Sequence, residues 1–358
     1  MRRAILLIAG PALALAIFTA PLAGAAALQP AARASAIAFL NRYVASDGRV
    51  VRVDQGNDTV SGGQAQAMLL AAALGQRGRF ASVWGWARRH IQLRDGLLAS
   101  RWASGRIANA QPASDADLDA ARALLVASSR FHDGAYRVAG LRIAHAVLAN
   151  ETVTRGRVLV LVAGPWARAR GIVDPGYWAP RTFAQLAAAT GDRRFGALEA
   201  SAIRLTSELA AAAPHLPSDW AAVSAGGAIH PITAPPGHPA APPQYSIDAA
   251  RLSIRFAEGC TASARRLAAS LWPFFAGQAV NRIGAAYALD GTLTNPDQTA
   301  VTLVGAAAAA ASAGQLGAAN ALMAQAQQID RRFPTYFGSA WIAIAQVELG
   351  SNALGRCE

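Results

Sequence analysis

No lysine occurs in the 358 residues, so the basic excess, a formal net charge of +12, is carried wholly by arginine. GC-rich codon usage would give the same pattern together with abundant alanine, so arginine content alone points to no activity. The charge favours adhesion to anionic cell-wall polymers, membrane surfaces or acidic polysaccharides. The arginines are scattered and no nucleic-acid-binding motif accompanies them, which excludes nucleic acid as the expected partner. Cysteine is nearly missing. Cys260 and Cys357 are too few for a disulfide scaffold or a cysteine metal site, although in an exported protein they could pair and pin the C-terminus to the segment 251–258. The six histidines form no metal pattern: His230 and His238 stand eight apart in a loop, and His90, His132, His145 and His215 are isolated. No cofactor is expected.

Long apolar runs are missing beyond the N-terminus. There, Met1-Arg2-Arg3, an apolar run from Ala4 to about Ala20 and the small residues Ala23 to Ala27 make the three parts of a secretory signal peptide over 1–27. An uncleaved membrane anchor is the alternative, since about 20 apolar residues can span a bilayer. Both place the rest outside the cytoplasm. No linker-like composition shift divides residues 28–358, so one domain of roughly 330 residues is expected, as a monomer. Strand-like alternation is also scarce, with 158–162 the main exception. Apolar residues instead recur at helical spacing in about a dozen segments, from 31–44 to 337–349, and Gly75, Gly191 and Gly350 stand where C-caps belong. The alanine run 306–311 reads as a buried face where helices approach closely. The fold class is all-α, an ordered stack of helical hairpins, and the Pro-rich segment 230–243 is a surface loop beside a site.

Against this sparsely charged background (15% Asp, Glu, Lys and Arg), Ser114-Asp115-Ala116-Asp117-Leu118-Asp119 packs three carboxylates into the start of an apolar helix. Ser114 as an N-cap and a favourable helix dipole would account for them. Their neighbours suggest more. With Ser61-Gly62-Gly63-Gln64-Ala65-Gln66-Ala67-Met68 upstream and Tyr245-Ser246-Ile247-Asp248-Ala249-Ala250-Arg251 downstream, the chain resembles glycoside hydrolase family 8, the bacterial endo-β-1,4-glucanases and related β-glycanases, whose patterns read S-E-G-Q-x-Y-x-M, A-T-D-A-D-x-x-x-A-x-x-L and Y-D-A-x-R. Asp174-Pro175-Gly176-Tyr177-Trp178, Leu216-Pro217-Ser218-Asp219-Trp220 and Pro334-Thr335-Tyr336-Phe337-Gly338 extend the resemblance over nearly the whole mature chain.

The resemblance implies an (α/α)6 toroid of about twelve helices, a β-1,4-glucan or related polysaccharide as ligand, and hydrolysis with inversion. Inversion needs a protonated carboxylic acid at the leaving oxygen and a carboxylate that activates water, the two roughly 6.5–9.5 Å apart. By resemblance Asp248 is the base, Asp115 binds and distorts the central sugar, and Arg251 orients the base or binds sugar hydroxyls. Asp117, Tyr245, Trp102, Tyr177 and Trp178 are the further substrate-binding candidates, the aromatics as sugar platforms. The acid should be the Glu of S-E-G-Q, where this chain has Gly62, and no glutamate precedes Glu151. Asp58 is the candidate substitute, with Asp54 beside it. Other family positions have drifted: Gln66 stands for a Tyr, Ile247 for the Tyr before the base, and Ser100 for a stacking Trp that Trp102 could replace. Three outcomes are open: a secreted glycosidase with impaired activity, an inactive glycan-binding protein of cell-surface polysaccharide assembly, and an enzyme of another class on the same toroid, such as a polysaccharide lyase, for which the sequence offers no evident Tyr or His base.

Overall fold

The computed structural model describes residues 28–357, so the expected signal peptide lies outside the described residues. Six helices close into a ring, each packed on the next: Ser61–Ala73, Ser114–Phe131, Pro180–Thr190, Ile247–Ala257, Ala300–Ser312 and Tyr336–Gly350, the last returning to the first. Each ring helix also packs on an outer partner adjacent to it in sequence or, for the last, on the first helix of the chain. The partners are Arg77–His90, Gly134–Asn150, Arg193–Leu209, Ala262–Ser270, Leu316–Arg332 and Pro30–Tyr43. This is the (α/α)6 toroid, with one further short helix, Trp272–Ala276. Because an outer helix carries the chain back between ring helices, the ring helices run parallel and their N-termini gather at one end.

The helices lie where the periodicity places them, within about three residues at each end, except over 262–275, where helical spacing of apolar residues runs on but the helix breaks before Trp272-Pro273. Proline cannot donate its backbone N–H, so a continuous helix is interrupted there. Gly75 and Gly191 take the left-handed conformation that ends helices, with φ of 71° and 72°. Gly350 instead closes its helix, which Ser351 leaves in an extended conformation. Ring helices are nearly all buried, and the alanine run explains how they pack. A Cβ on Gly305 would meet the carbonyl oxygen of Ala250 at 2.6 Å, and Ala306 to Ala310 are wholly buried beside it. Small side chains let the two backbones meet.

The ring's interior also holds a buried ion network. Arg122 binds Glu258 through two nitrogens at 2.7 and 2.9 Å, and Arg255 binds Asp119 at 2.8 and 2.5 Å. Glu348 lies between them, 3.1 Å from Arg122. Cys260 and Cys357 are disulfide-bonded, with Cα atoms 5.3 Å apart, so the chain's end is pinned beside the helix that carries Asp248. Short strands occupy the connections. Val158–Leu161 pairs with Thr152–Arg155, and three small sheets, each of three strands, include Thr59–Val60 with Arg101–Ala103 beside the first ring helix. Among the described residues, no helix is long and apolar enough to cross a membrane.

Candidate active site

The parallel ring brings Gly62, Asp115, Asp248 and Tyr336 to one end of the toroid, each in the first turn of its helix. Carboxylates there face the positive ends of helix dipoles. Ser114 does not serve as the N-cap the sequence suggested: its hydroxyl donates to the Val162 carbonyl at 2.8 Å, tying the helix start to the neighbouring hairpin instead. Asp115 accepts from the Ala116 amide at 2.8 Å.

Arg251 is the centre of the cluster. One turn after Asp248, its Nη2 donates to Asp248 Oδ1 at 2.8 Å and to Asp174 Oδ2 at 2.6 Å, while Nη1 donates to Asp115 Oδ2 at 3.0 Å. The guanidinium lies 4.9 Å from the centre of the Tyr177 ring, within cation–π range. Burial alone would lower the Arg251 pKa, but Asp174, Asp248 and Asp115 outweigh it and hold it well above the usual range. Burial raises Asp115 against the pull of Arg251, and raises Asp174 much further. The Asp248 side chain is 29% exposed and that of Asp115 17%, against 0% for Asp174, so the first two face the cleft and the third supports them.

Asp174 and Asp219 were not among the sequence candidates, although both lie in quoted motifs. Asp219 fixes the start of the helix carrying Asp248 by accepting from the Ser246 and Ala249 amides at 2.8 and 2.9 Å. Burial, then the Asp248 charge, pushes it up to about 6.

The remaining candidates divide. Asp58 is buried and bound by Arg52 at 2.7 and 2.6 Å and by Arg101 at 2.5 Å. Burial would raise it, but these arginine bonds outweigh burial and lower its pKa, the opposite of the shift that a general acid needs. Asp54 accepts from the Tyr336 amide at 3.1 Å. Asp117 is also buried. It accepts from the Leu98 amide at 2.8 Å and is raised well above its usual range by burial, so it sits behind the cleft rather than against a sugar. Tyr245 and Trp178 are core residues, 0% and 1% exposed, and Trp178 donates to the Leu161 carbonyl. Neither has a free face for a sugar. Trp102 is half-buried, edge-on to Trp86 and covered by the Arg49 guanidinium at 5.4 Å. Tyr177 keeps its place beside Arg251 and opens an aromatic wall continuing through Trp220 to Trp166, with the His238 ring tilted against Trp220, centroids 4.4 Å apart. The Pro-rich loop thus lies beside the site.

Outside its chain neighbours and the backbone of its own helix, no atom lies within 4 Å of where a Cβ on Gly62 would stand. Nearby, the Tyr336 hydroxyl donates to Gln66 at 2.9 Å. A cavity of about 460 Å³ reaches from Arg52 and Gln55 past Asp248 to Tyr336 and Phe337, large enough for a sugar residue or two.

Known proteins share this architecture. A probable endoglucanase of Novacetimonas hansenii is 31% identical over 226 residues, 61% of this chain and 64% of that protein. An endoglucanase of Cellulomonas uda is 30% identical over 223 residues, 60% of each. The matched regions thus span less than two thirds of these relatives. The endo-β-1,4-glucanase CMCax of Acetobacter xylinum superposes with a TM-score of 0.76 at 25% identity, covering 90% of this chain and 98% of that structure. With residues 11–347 matching the family's sequence profile, the chain belongs to the glycosyl hydrolases of family 8.

Proposed function

We propose that the protein is an exported β-1,4-glycan-binding member of this family, with Asp248 as base for inverting hydrolysis and turnover of ordinary glycosidic bonds impaired by the lack of a proton donor. The observation that carries this reading is an asymmetry. The base side is assembled, with Asp248, Asp115 and Asp174 on one arginine, while the helix that should bring the acid begins with Gly62 and open space. Asp58, the candidate substitute, is bound by Arg52 and Arg101, whose bonds lower its pKa, the opposite of what a proton donor needs. The endoglucanase relatives support β-1,4-glucan as the ligand.

In this reading Asp248 removes a proton from the attacking water, Asp115 binds the central sugar and Arg251 fixes both. General acid catalysis typically contributes about 10² to 10⁴ in rate, and a sugar alkoxide is a poor leaving group, so the deficit sits at the high end. The same absence favours a second reading, a glycan-binding protein without turnover that acts in cell-surface polysaccharide assembly.

Reducing-end release from soluble β-1,4-glucan, measured for the native protein, Asp248→Asn, Gly62→Glu and Gly62→Glu/Asp248→Asn, separates them. Slow native release that rises about 10² to 10⁴-fold in Gly62→Glu and is abolished by Asp248→Asn supports the first reading. Oligosaccharide binding with no native release favours the second. Fast native release unchanged by Asp248→Asn overturns both.

A further inference from the structure

At the opposite end of the toroid lies a second cavity, of about 560 Å³, within the range of small-molecule sites. Arg130, which lines it, is fifteen residues from Asp115 on the same helix, about 22 Å along the axis at the α-helical rise. The cavity is therefore separate from the glycan cleft.

Its lining is one-sided in charge. Arg122, Arg130, Arg137 and Arg356 border it, and none of its lining residues is acidic. Arg130 and Arg137 each donate to a single backbone carbonyl, of Ala353 and Ala189, which leaves the other guanidinium N–H groups available. That much is what arginines near helix C-termini commonly do. Three observations go further. Arg356 makes no hydrogen bond or ion pair among the described residues. Arg122, although bound to Glu258 and Glu348, keeps a buried Nε without a partner, and Gln185 keeps a buried, unpartnered Oε1. Arg181, buried behind the same wall, bonds to Cys357 and to the Gly355 carbonyl but to no carboxylate. A cavity bordered by the free N–H groups of Arg130, Arg137 and Arg356, by the polar side chains of Ser129, Gln185 and Asn352 and by no acidic residue fits a ligand carrying an oxyanion and hydroxyl groups.

We propose that this cavity is a second binding site, for a small hydroxylated oxyanion. A hexuronate or a hexose phosphate would supply that chemistry, the anion meeting the arginines and the hydroxyls meeting the polar side chains of the lining. One wall of the site is the tail 352–356, held by the Cys260–Cys357 disulfide and by Gln185 donating to the Leu354 carbonyl at 2.6 Å. The disulfide thus holds a wall of the site as well as the chain's end.

Calorimetric titration of the oxidised protein with glucuronate, glucose 6-phosphate, inorganic phosphate and glucose tests it, run beside Arg137→Gln/Arg356→Gln. Both substitutions are on exposed side chains, and unchanged circular dichroism checks that the variant folds. Saturable binding of glucuronate or glucose 6-phosphate, tighter than phosphate or glucose and weakened about tenfold or more in the variant, supports the site, and the better ligand identifies the source of the anion. Binding absent for both at 10 mM, an order of magnitude beyond about 1 mM affinity, overturns it. So does binding equal in native protein and variant, or phosphate binding as tight as either sugar.

Discussion

Asp219 grips the backbone on both sides of Asp248, one carboxylate oxygen accepting the Ser246 and Ala249 amide protons and the other the Ser246 hydroxyl at 2.5 Å. The cap on this helix therefore comes from a residue 30 positions away. Asp219→Ala would leave two amides without their acceptor beside the base, at a cost of about 2–4 kcal/mol. Asp219→Asn keeps an oxygen there and should lose less than half as much. Urea titrations of both variants check this, and equal losses would mean that the charge, not the acceptor geometry, holds the helix start.

Arg251 joins three carboxylates that would otherwise repel one another. Arg251→Met should destabilise the fold by about 3–5 kcal/mol, the usual cost of leaving buried charge without its partner. Lysine restores a positive charge but lacks the guanidinium's planar fork, so Arg251→Lys should recover stability only in part and still weaken oligosaccharide binding. Thermal midpoints with binding titrations of cello-oligosaccharides give both quantities. Methionine tolerated with no loss would mean that the three carboxyls are held apart by protons alone.

The helices were legible because most outer helices are amphipathic, while several ring helices, buried nearly all round, read as long runs of apolar helix formers. The Asp115, Asp248 and Arg251 constellation was legible through motif resemblance. Asp174 and Asp219 stood in the quoted motifs, yet their roles depend on partners 77 and 30 residues away, which spacing along the chain does not encode. Aromatic identity misled in a related way: Tyr177 meets Arg251 while adjacent Trp178 turns into the core, and nothing in the pair's sequence says which faces the site. Asp58 looked available because its two arginines, at 52 and 101, converge only when the strands of the small sheet pair.

Stability should fall as pH rises across neutrality. Burial, reinforced by Asp248, pushes Asp219 up to about 6. Burial, reinforced by Glu258 and opposed by Arg255 and Arg122, pushes Glu348 up to about 8. Both groups titrate near ~4 in an unfolded chain, so between pH 4 and 8 the native state binds more protons than the unfolded one. The slope of unfolding free energy with pH is then negative: these groups are cheapest to bury at about pH 4 and below, and their cost grows with pH until it levels off above about 6 for Asp219 and about 8 for Glu348. Asp58 acts oppositely, since its lowered pKa adds stability above about pH 4 that is lost in acid. It therefore does not alter the trend above pH 5. The thermal midpoint should be lower at pH 8.5 than at pH 5 by several degrees, roughly 2–4 °C for each kcal/mol. Glu348→Gln, which cannot ionise, should flatten the part of that decline between pH 6 and 8, whereas a native midpoint that climbs over this range would show that Glu348 is ionised throughout and paired with both arginines.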